Sequence, residues 1–181
     1  MLAYFTPLTI RSSGSLRRVR YYLAASAAAA QLAFGSMTLP PIEFRSNDCQ
    51  ELDAFLADRI YEFNAETTGY LDGESFGAMQ RDESGTILAG ISGFTWGGCC
   101  FVSYLWVAEA HRGKGFGSAL LRAFEKNAIE KGCRIALLAS HSFQSPAFYK
   151  RMGYEERASI QDYPVGYSDV FFSKRLMPNA A

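Results

Sequence analysis

The chain has 181 residues, 49% of them hydrophobic and 14% aromatic, which excludes a disordered chain and fits one domain with a sizeable core. Its 18 basic and 18 acidic side chains cancel, but unevenly: Arg11, Arg17, Arg18 and Arg20 all precede the first acid, Glu43, so 14 basic face 18 acidic side chains from there on, a net charge of −4. A mildly acidic domain is a poor nucleic-acid binder by electrostatics and is better suited to a cationic or neutral substrate.

The N-terminal stretch "SLRRVRYYLAASAAAAQLAFGSM" has an Arg-rich start, an Ala-rich apolar run and then small residues. That is the pattern of a secretory or transit-type leader. The run from Tyr21 to Phe34 is too short and too rich in alanine for a membrane span. The preferred alternative is that Met37 is the working start, because a self-contained domain pattern begins right after it at "TLPPIEF". Residues 1–36 are therefore set apart from the core as a leader or misassigned start, disordered or weakly helical, and 37–181 are read as a single domain. Under that reading the protein is cytoplasmic, with organelle targeting left open.

Pro40 and Pro41 lead into a short predicted strand, "IEFR". "SNDCQELDAFLADRIYEFNAE" follows as a helix that Ser46, Asn47 or Asp48 can cap, with Leu52, Phe55, Leu56, Ile60 and Phe63 at helical spacing. After the turn-rich "TTGYLDGES", the segments "FGAMQR" and "TILAGISGFTW" flank "DESG" as a hairpin. Gly97 and Gly98 make the next turn, into the buried strand "CCFVSYLWV". A helix from about Gly117 to Lys131 carries Leu120, Leu121, Phe124, Ala128 and Ile129 on one face, and Gly132 ends it. "CRIALLA" is a strand. "SPAFYKRM" is a short helix with Pro146 in its first turn and Gly153 after it. "YEERASIQ" and "SDVFFSKRL" are strands around "DYPVGY". The order implies an α/β protein (α+β mixed sheet), with a central sheet of about six to seven strands and helices on both faces. No internal repeat interrupts it.

The stretch "HRGKGFGSALL", residues 111–121, puts three glycines and three basic or imidazole side chains at the mouth of a helix. Unpaired N–H groups and the helix dipole make that place suited to an anion, and glycine lets a ligand approach the backbone. A P-loop is excluded because no G-x-x-x-x-G-K-[ST] spacing exists. A dinucleotide fingerprint is excluded because Ser118 stands in place of the last glycine and the neighbouring elements are hairpins.

Arg112-x-x-Gly115-x-Gly117, after a buried strand and opening a helix, resembles the acetyl-CoA pyrophosphate loop of GNAT-type (GCN5-related) N-acetyltransferases. "GCRIALLASHSFQSPAFYKRMGYEE" resembles that family's next strand, its short helix and its "FYxxxGY" signature, here Phe148-Tyr149 and Gly153-Tyr154. The resemblance covers roughly residues 41–176. It implies the GNAT-like acyl-CoA N-acyltransferase fold and an acetyl-CoA-dependent N-acetyltransferase, with acetyl-CoA as co-substrate and no metal. The acceptor it implies is a primary amine of a small molecule or peptide, attacking directly. The alternative within the same fold is a non-catalytic acyl-CoA-binding or sensory domain. Partners are acetyl-CoA and the amine, with neither nucleic acid nor membrane; a homodimer is compatible.

By the resemblance, Arg112, Gly113, Lys114, Gly115, Phe116, Gly117 and Ser118 hold the pyrophosphate. Leu105, Trp106 and Val107 match the strand whose backbone receives the acetyl group and pantetheine arm, although Trp106 also reads as a pocket wall. Tyr149 matches the general acid, against the simpler reading of an aromatic packing residue. The base is open: Ser103 and Tyr104 stand where some members place a carboxylate, which leaves Glu62, Glu66, Glu109 and His141. Asn64, Glu66, Tyr70, His141 and Tyr163 are candidate substrate residues, along with Asp162 and Tyr167. The four cysteines, Cys49, Cys99, Cys100 and Cys133, form no C-x-x-C pair and read as reduced, idle thiols.

Overall fold

The computed structural model describes residues 39–47 and 49–176. Residues 1–36, set apart above as a leader or misassigned start, lie outside the described residues, as does Asp48. Helix α1 spans Gln50–Thr68, and strands β1 (Glu74–Arg81), β2 (Ile87–Trp96) and β3 (Cys99–Val107) follow as a meander. Helix α2 (Phe116–Glu130), strand β4 (Ile135–His141), helix α3 (Pro146–Arg151) and strands β5 (Glu155–Gln161) and β6 (Ser168–Arg175) complete the domain. The six strands form one sheet in the order β1-β2-β3-β4-β6-β5. β3 and β4 are parallel, joined through α2, and every other neighbouring pair is antiparallel.

Alternation along the strands decides the layers. Ala89, Ile91, Cys100, Val102, Ala136, Leu138, Val170 and Phe172 point to one face and meet Leu120, Leu121, Phe124 and Ala128 of α2 and Tyr149 of α3 in a single core. At roughly 25 cal/mol per Å² of apolar surface, this is the face that stabilises the domain. Ile129, expected on the buried stripe of α2, is 37% exposed at its edge. α1 lies over the opposite face.

Two expectations from the N-terminal segment fail. "IEFR" forms no strand; Ile42 and Phe44 are exposed in irregular chain. Cys49, not Ser46 or Asn47, occupies the N-cap of α1, with no side-chain capping bond. The helical spacing of Leu52, Phe55, Leu56, Ile60 and Phe63 is real, but all five are exposed, by 45% to 68%. Leu56 and Ile60 line an apolar cavity of about 490 Å³ between α1 and Phe94, Trp96 and Phe101 of the sheet. Periodicity shows that a helix has an apolar side, not that the side is filled.

One polar pair joins α2 to β6. Glu125, 7% exposed, accepts from Lys174 Nζ at 2.9 and 2.8 Å, and the ammonium also lies 5.5 Å over the Tyr154 ring. Removing one partner of a buried pair strands the other charge at a cost of about 3–5 kcal/mol. Glu125→Ala should therefore lower unfolding free energy by about 3 kcal/mol in urea titration, whereas the double change Glu125→Leu with Lys174→Met should recover most of it.

Candidate functional site

The parallel ladder between β3 and β4 has only four residue pairs, Cys99–Val102 with Ile135–Leu138. β3 continues to Val107 and β4 to His141, so the sheet splits at their C-terminal ends. The cause lies in the β2–β3 register. Gly93 pairs with Val102 and Ser92 with Tyr104, which leaves Ser103 as an extra residue. Such a bulge bends its strand and increases the local twist. It requires glycine at position 93, because a Cβ there would overlap the Phe101 carbonyl oxygen and press on the Phe124 ring. Ser103 Oγ is buried at the start of the split without a hydrogen-bond partner.

Beyond the split the chain enters a short 3-10 turn, Glu109–His111, and then the glycine loop. Arg112 Nε donates to the Val107 carbonyl at 3.2 Å, which ties the loop to the strand end. Gly115 has φ +90° and sits at the N-cap of α2. The first intrahelical bond runs from Ala119 N to Gly115 O at 2.9 Å. The N–H groups of Phe116, Gly117 and Ser118 therefore have no carbonyl one turn earlier to bond within the helix and point off its end. Arg112 and Lys114 are exposed beside them. A Cβ on Gly117 would lie 3.6 Å from both Val107 and Phe148, so the helix mouth, the end of β3 and α3 meet at one place.

Tyr149 stands on α3 at this junction. It is 8% exposed, and its ring meets Phe148 at 5.0 Å and both Tyr154 and Phe172 at 6.0 Å. Burial pushes its hydroxyl above the ordinary tyrosine range, because the phenolate would lose its water. The residue thus keeps its proton through neutral pH.

On the other face of the split stand Tyr104 and Trp106, 68% and 52% exposed, since Leu105 and Val107 turn their side chains to the core. His141, at the end of β4, also faces this side. Phe143 stacks on its imidazole at 5.2 Å, Tyr163 meets it edge-on at 5.5 Å, and Tyr167 meets Phe143 at 4.9 Å.

A model of the acetyltransferase (GNAT) family matches residues 42–154. This chain is a member of the GNAT acetyltransferase family. Over 104 residues it is 38% identical to blasticidin-S acetyltransferase of Streptomyces morookaense, spanning 57% of this chain and 76% of that protein. The crystal structure of an acetyltransferase from Bacillus cereus superposes with a TM-score of 0.64 at 34% identity, covering 74% of this chain and 97% of that one. An aminoglycoside 6'-N-acetyltransferase complexed with coenzyme A shares the fold, with a TM-score of 0.54 at 15% identity over 60% of this chain and 76% of its own. The chain is thus an acyltransferase of GNAT fold, and the mixed sheet with helices on both faces is that of its relatives.

This GNAT domain does not gather all the residues that the sequence suggested. Asn64 lines the apolar cavity with Leu56, Ile60, Trp96 and Phe101. Tyr70 lies beside Gly97 in the β2–β3 turn, and Glu66 is exposed in the last turn of α1. Asn64 and Tyr70 thus neighbour the start of β3, roughly 25 Å of strand away from Val107. His141 and Tyr163 do come together at the split. Asp162 is exposed in the β5–β6 turn, where its carboxylate accepts from Gly166 N. Sequence reasoning missed Asp169 and Phe143. Asp169 has no local signal, because its meaning comes from a partner 28 positions away across a β ladder.

The cysteines form no disulfide. Burial pushes the Cys99 thiol up to about 11 and raises those of Cys100 and Cys133 too, which makes them poor nucleophiles at neutral pH. Among the described residues no three metal-ligating side chains come together, and no helix is long and apolar enough to cross a membrane.

Proposed function

We propose that this chain moves the acetyl group of acetyl-CoA to a primary amine of a small molecule or peptide by direct attack. The observation that supports the reading is the sheet split between β3 and β4, with the glycine loop, the mouth of α2 and helix α3, which carries Tyr149, near its open end. The pyrophosphate is held on residues 112–118, mainly by backbone N–H groups, with Arg112 and Lys114 adding charge. The backbone of Leu105, Trp106 and Val107, without ladder partners on its β4 side, receives the acetyl and pantetheine portion. The named relatives support acetyl transfer, and the coenzyme A complex of a protein sharing the fold supports the choice of acyl carrier.

The chemistry divides between the two partners. Coenzyme A leaves as a thiolate, whose conjugate acid has a pKa of about 8.5, so a donor placed at the sulfur speeds departure. Tyr149 holds its proton and fills that role, worth about 10²–10⁴-fold. The acceptor arrives as an ammonium with a pKa of about 10.4 and must lose a proton before it attacks.

The test is thiol release from acetyl-CoA over a panel of small amines and N-terminal peptides, with calorimetry of coenzyme A binding alongside. The expected result is binding together with amine-dependent release. Binding without release for any amine would favour the non-catalytic acyl-CoA-binding alternative, and no binding at all would remove both.

A further inference from the structure

We infer that His141, held by Asp169 across the β4–β6 ladder, is the catalytic base that frees the acceptor amine, an assignment that rests on the acetyl-transfer reading above. His141 and Asp169 are direct partners in the antiparallel register. His141 Nδ1 lies 3.5 Å from Asp169 Oδ1. Asp169 is only 5% exposed, and a buried carboxylate is tolerated only next to a compensating donor or cation. Nδ1 itself is buried and makes no hydrogen bond, which leaves the Asp169 carboxylate 3.5 Å away as the charge it faces, while the side chain is 28% exposed. The accessible part of the imidazole is therefore its far edge, which carries Nε2. A carboxylate beside Nδ1 favours the tautomer protonated there and leaves Nε2 as an acceptor.

The surroundings hold this arrangement in place. His141 N donates to Gln144 Oε1 at 3.0 Å. Ser142 N donates to Ser168 O at 2.8 Å, and Ser168 N to Ser142 Oγ at 3.1 Å, fastening the end of β4 to the start of β6. Phe143 stacks on the ring and Tyr163 meets its edge. Their π faces suit an approaching ammonium.

Position separates acid from base. Leu138 and Phe172 face the Tyr149 side of the sheet. His141, three residues past Leu138, faces the other side. The two groups thus stand on opposite faces of the sheet, so that a thioester held between β3 and β4, as the acetyl-transfer reading has it, would lie between them. The other candidate bases do not meet this condition. Glu62 is paired with Arg59 on α1, Glu66 ends α1, and Glu109 is exposed in the turn beside the glycine loop.

In the step, Nε2 takes one proton from the ammonium. The free amine attacks the acetyl carbonyl, forming the C–N bond. The C–S bond then breaks, and the sulfur leaves with the Tyr149 proton. The nitrogen sheds its second proton, which returns through water to Tyr149. His141 releases its proton to solvent. The sum is an ammonium plus thioester giving an amide, a free thiol and one proton.

The experiment compares wild type with His141→Ala and Asp169→Asn, reading kcat with an acceptor from the amine panel and acetyl-CoA affinity by calorimetry. His141→Ala should lose about 10²-fold in kcat, with affinity changed less than about threefold, and added imidazole should restore part of the rate. Asp169→Asn, with Asp169 as a positioning residue, should lower kcat about tenfold and leave the KM for acetyl-CoA unchanged. A His141→Ala enzyme within about threefold of wild-type kcat overturns the assignment while leaving acetyl transfer intact. Should the wild type bind no acetyl-CoA, that failure belongs to the acetyl-transfer reading, and nitrogen NMR of neutral His141 decides the arrangement by itself. A proton on Nδ1 supports it, and a proton on Nε2 overturns it.

Discussion

Gly115→Asp should weaken coenzyme A binding by on the order of 10²-fold in a protein that remains folded. Gly115 has φ +90°, and a side chain there costs on the order of 1–2 kcal/mol of backbone strain. No atom lies within 4 Å of where its Cβ would stand, so the variant meets no clash and the core is untouched. The carboxylate would compete for the N–H groups of Phe116, Gly117 and Ser118 and repel a phosphate placed there. At 5 Å and an effective dielectric of 20, one unit charge repels another by about 3 kcal/mol, or on the order of 10²-fold in affinity. Gly115→Ala carries the strain without the charge and separates the two effects. Calorimetry with coenzyme A, beside a thermal melt, reads both. An unchanged affinity in a folded Gly115→Asp protein would remove the loop from the binding site.

Tyr149→Phe should lower kcat by about 10²-fold or more while acetyl-CoA affinity changes little. Phenylalanine keeps the ring contacts with Phe148, Tyr154 and Phe172 and removes only the hydroxyl. A proton given to the departing sulfur is used in the transition state, so its loss appears in kcat and not in ground-state binding. Tyr149→Ala would instead cost about 3–5 kcal/mol of stability through a cavity. Because burial raises the Tyr149 hydroxyl above its ordinary value of 10.0, the acid stays protonated as pH rises through neutrality, and activity lost through its ionisation should appear only in alkali above that value. Near wild-type turnover in the Phe variant would assign the proton to water and leave Tyr149 as packing.

These experiments divide along what was local and what was not. The glycine spacing, the α2 stripe and the Phe148-Tyr149…Gly153-Tyr154 stretch are written in short windows, because helix mouths, turns and apolar faces depend on neighbours a few residues apart. They suffice for the family, for the order of elements from α1 to β6 and for the placement of the loop at a helix start. The hairpin around "DESG" was legible for the same reason, and β1 and β2 pair across it.

Tertiary structure decided the rest, because it depends on which distant segments meet. The bulge at Ser103 exists only once β2 and β3 are in register, and with it the split. Glu125 and Lys174, 49 positions apart, become a pair only when α2 packs on β6. "IEFR" has strand-forming residues but no ladder partner, so it stays irregular and exposed. α1 has an apolar stripe, yet a cavity separates it from the sheet instead of side chains filling the gap. Asn64 and Tyr70 are placed near the start of β3 and His141 at the open end, a distinction that no spacing encodes. The sequence by itself determined the family, the elements from α1 to β6 and a glycine loop at a helix start, because local backbone and periodic burial are short-range. Which end of the sheet each polar residue reaches, and which carboxylate stands behind His141, follow from strand register and packing over the whole chain.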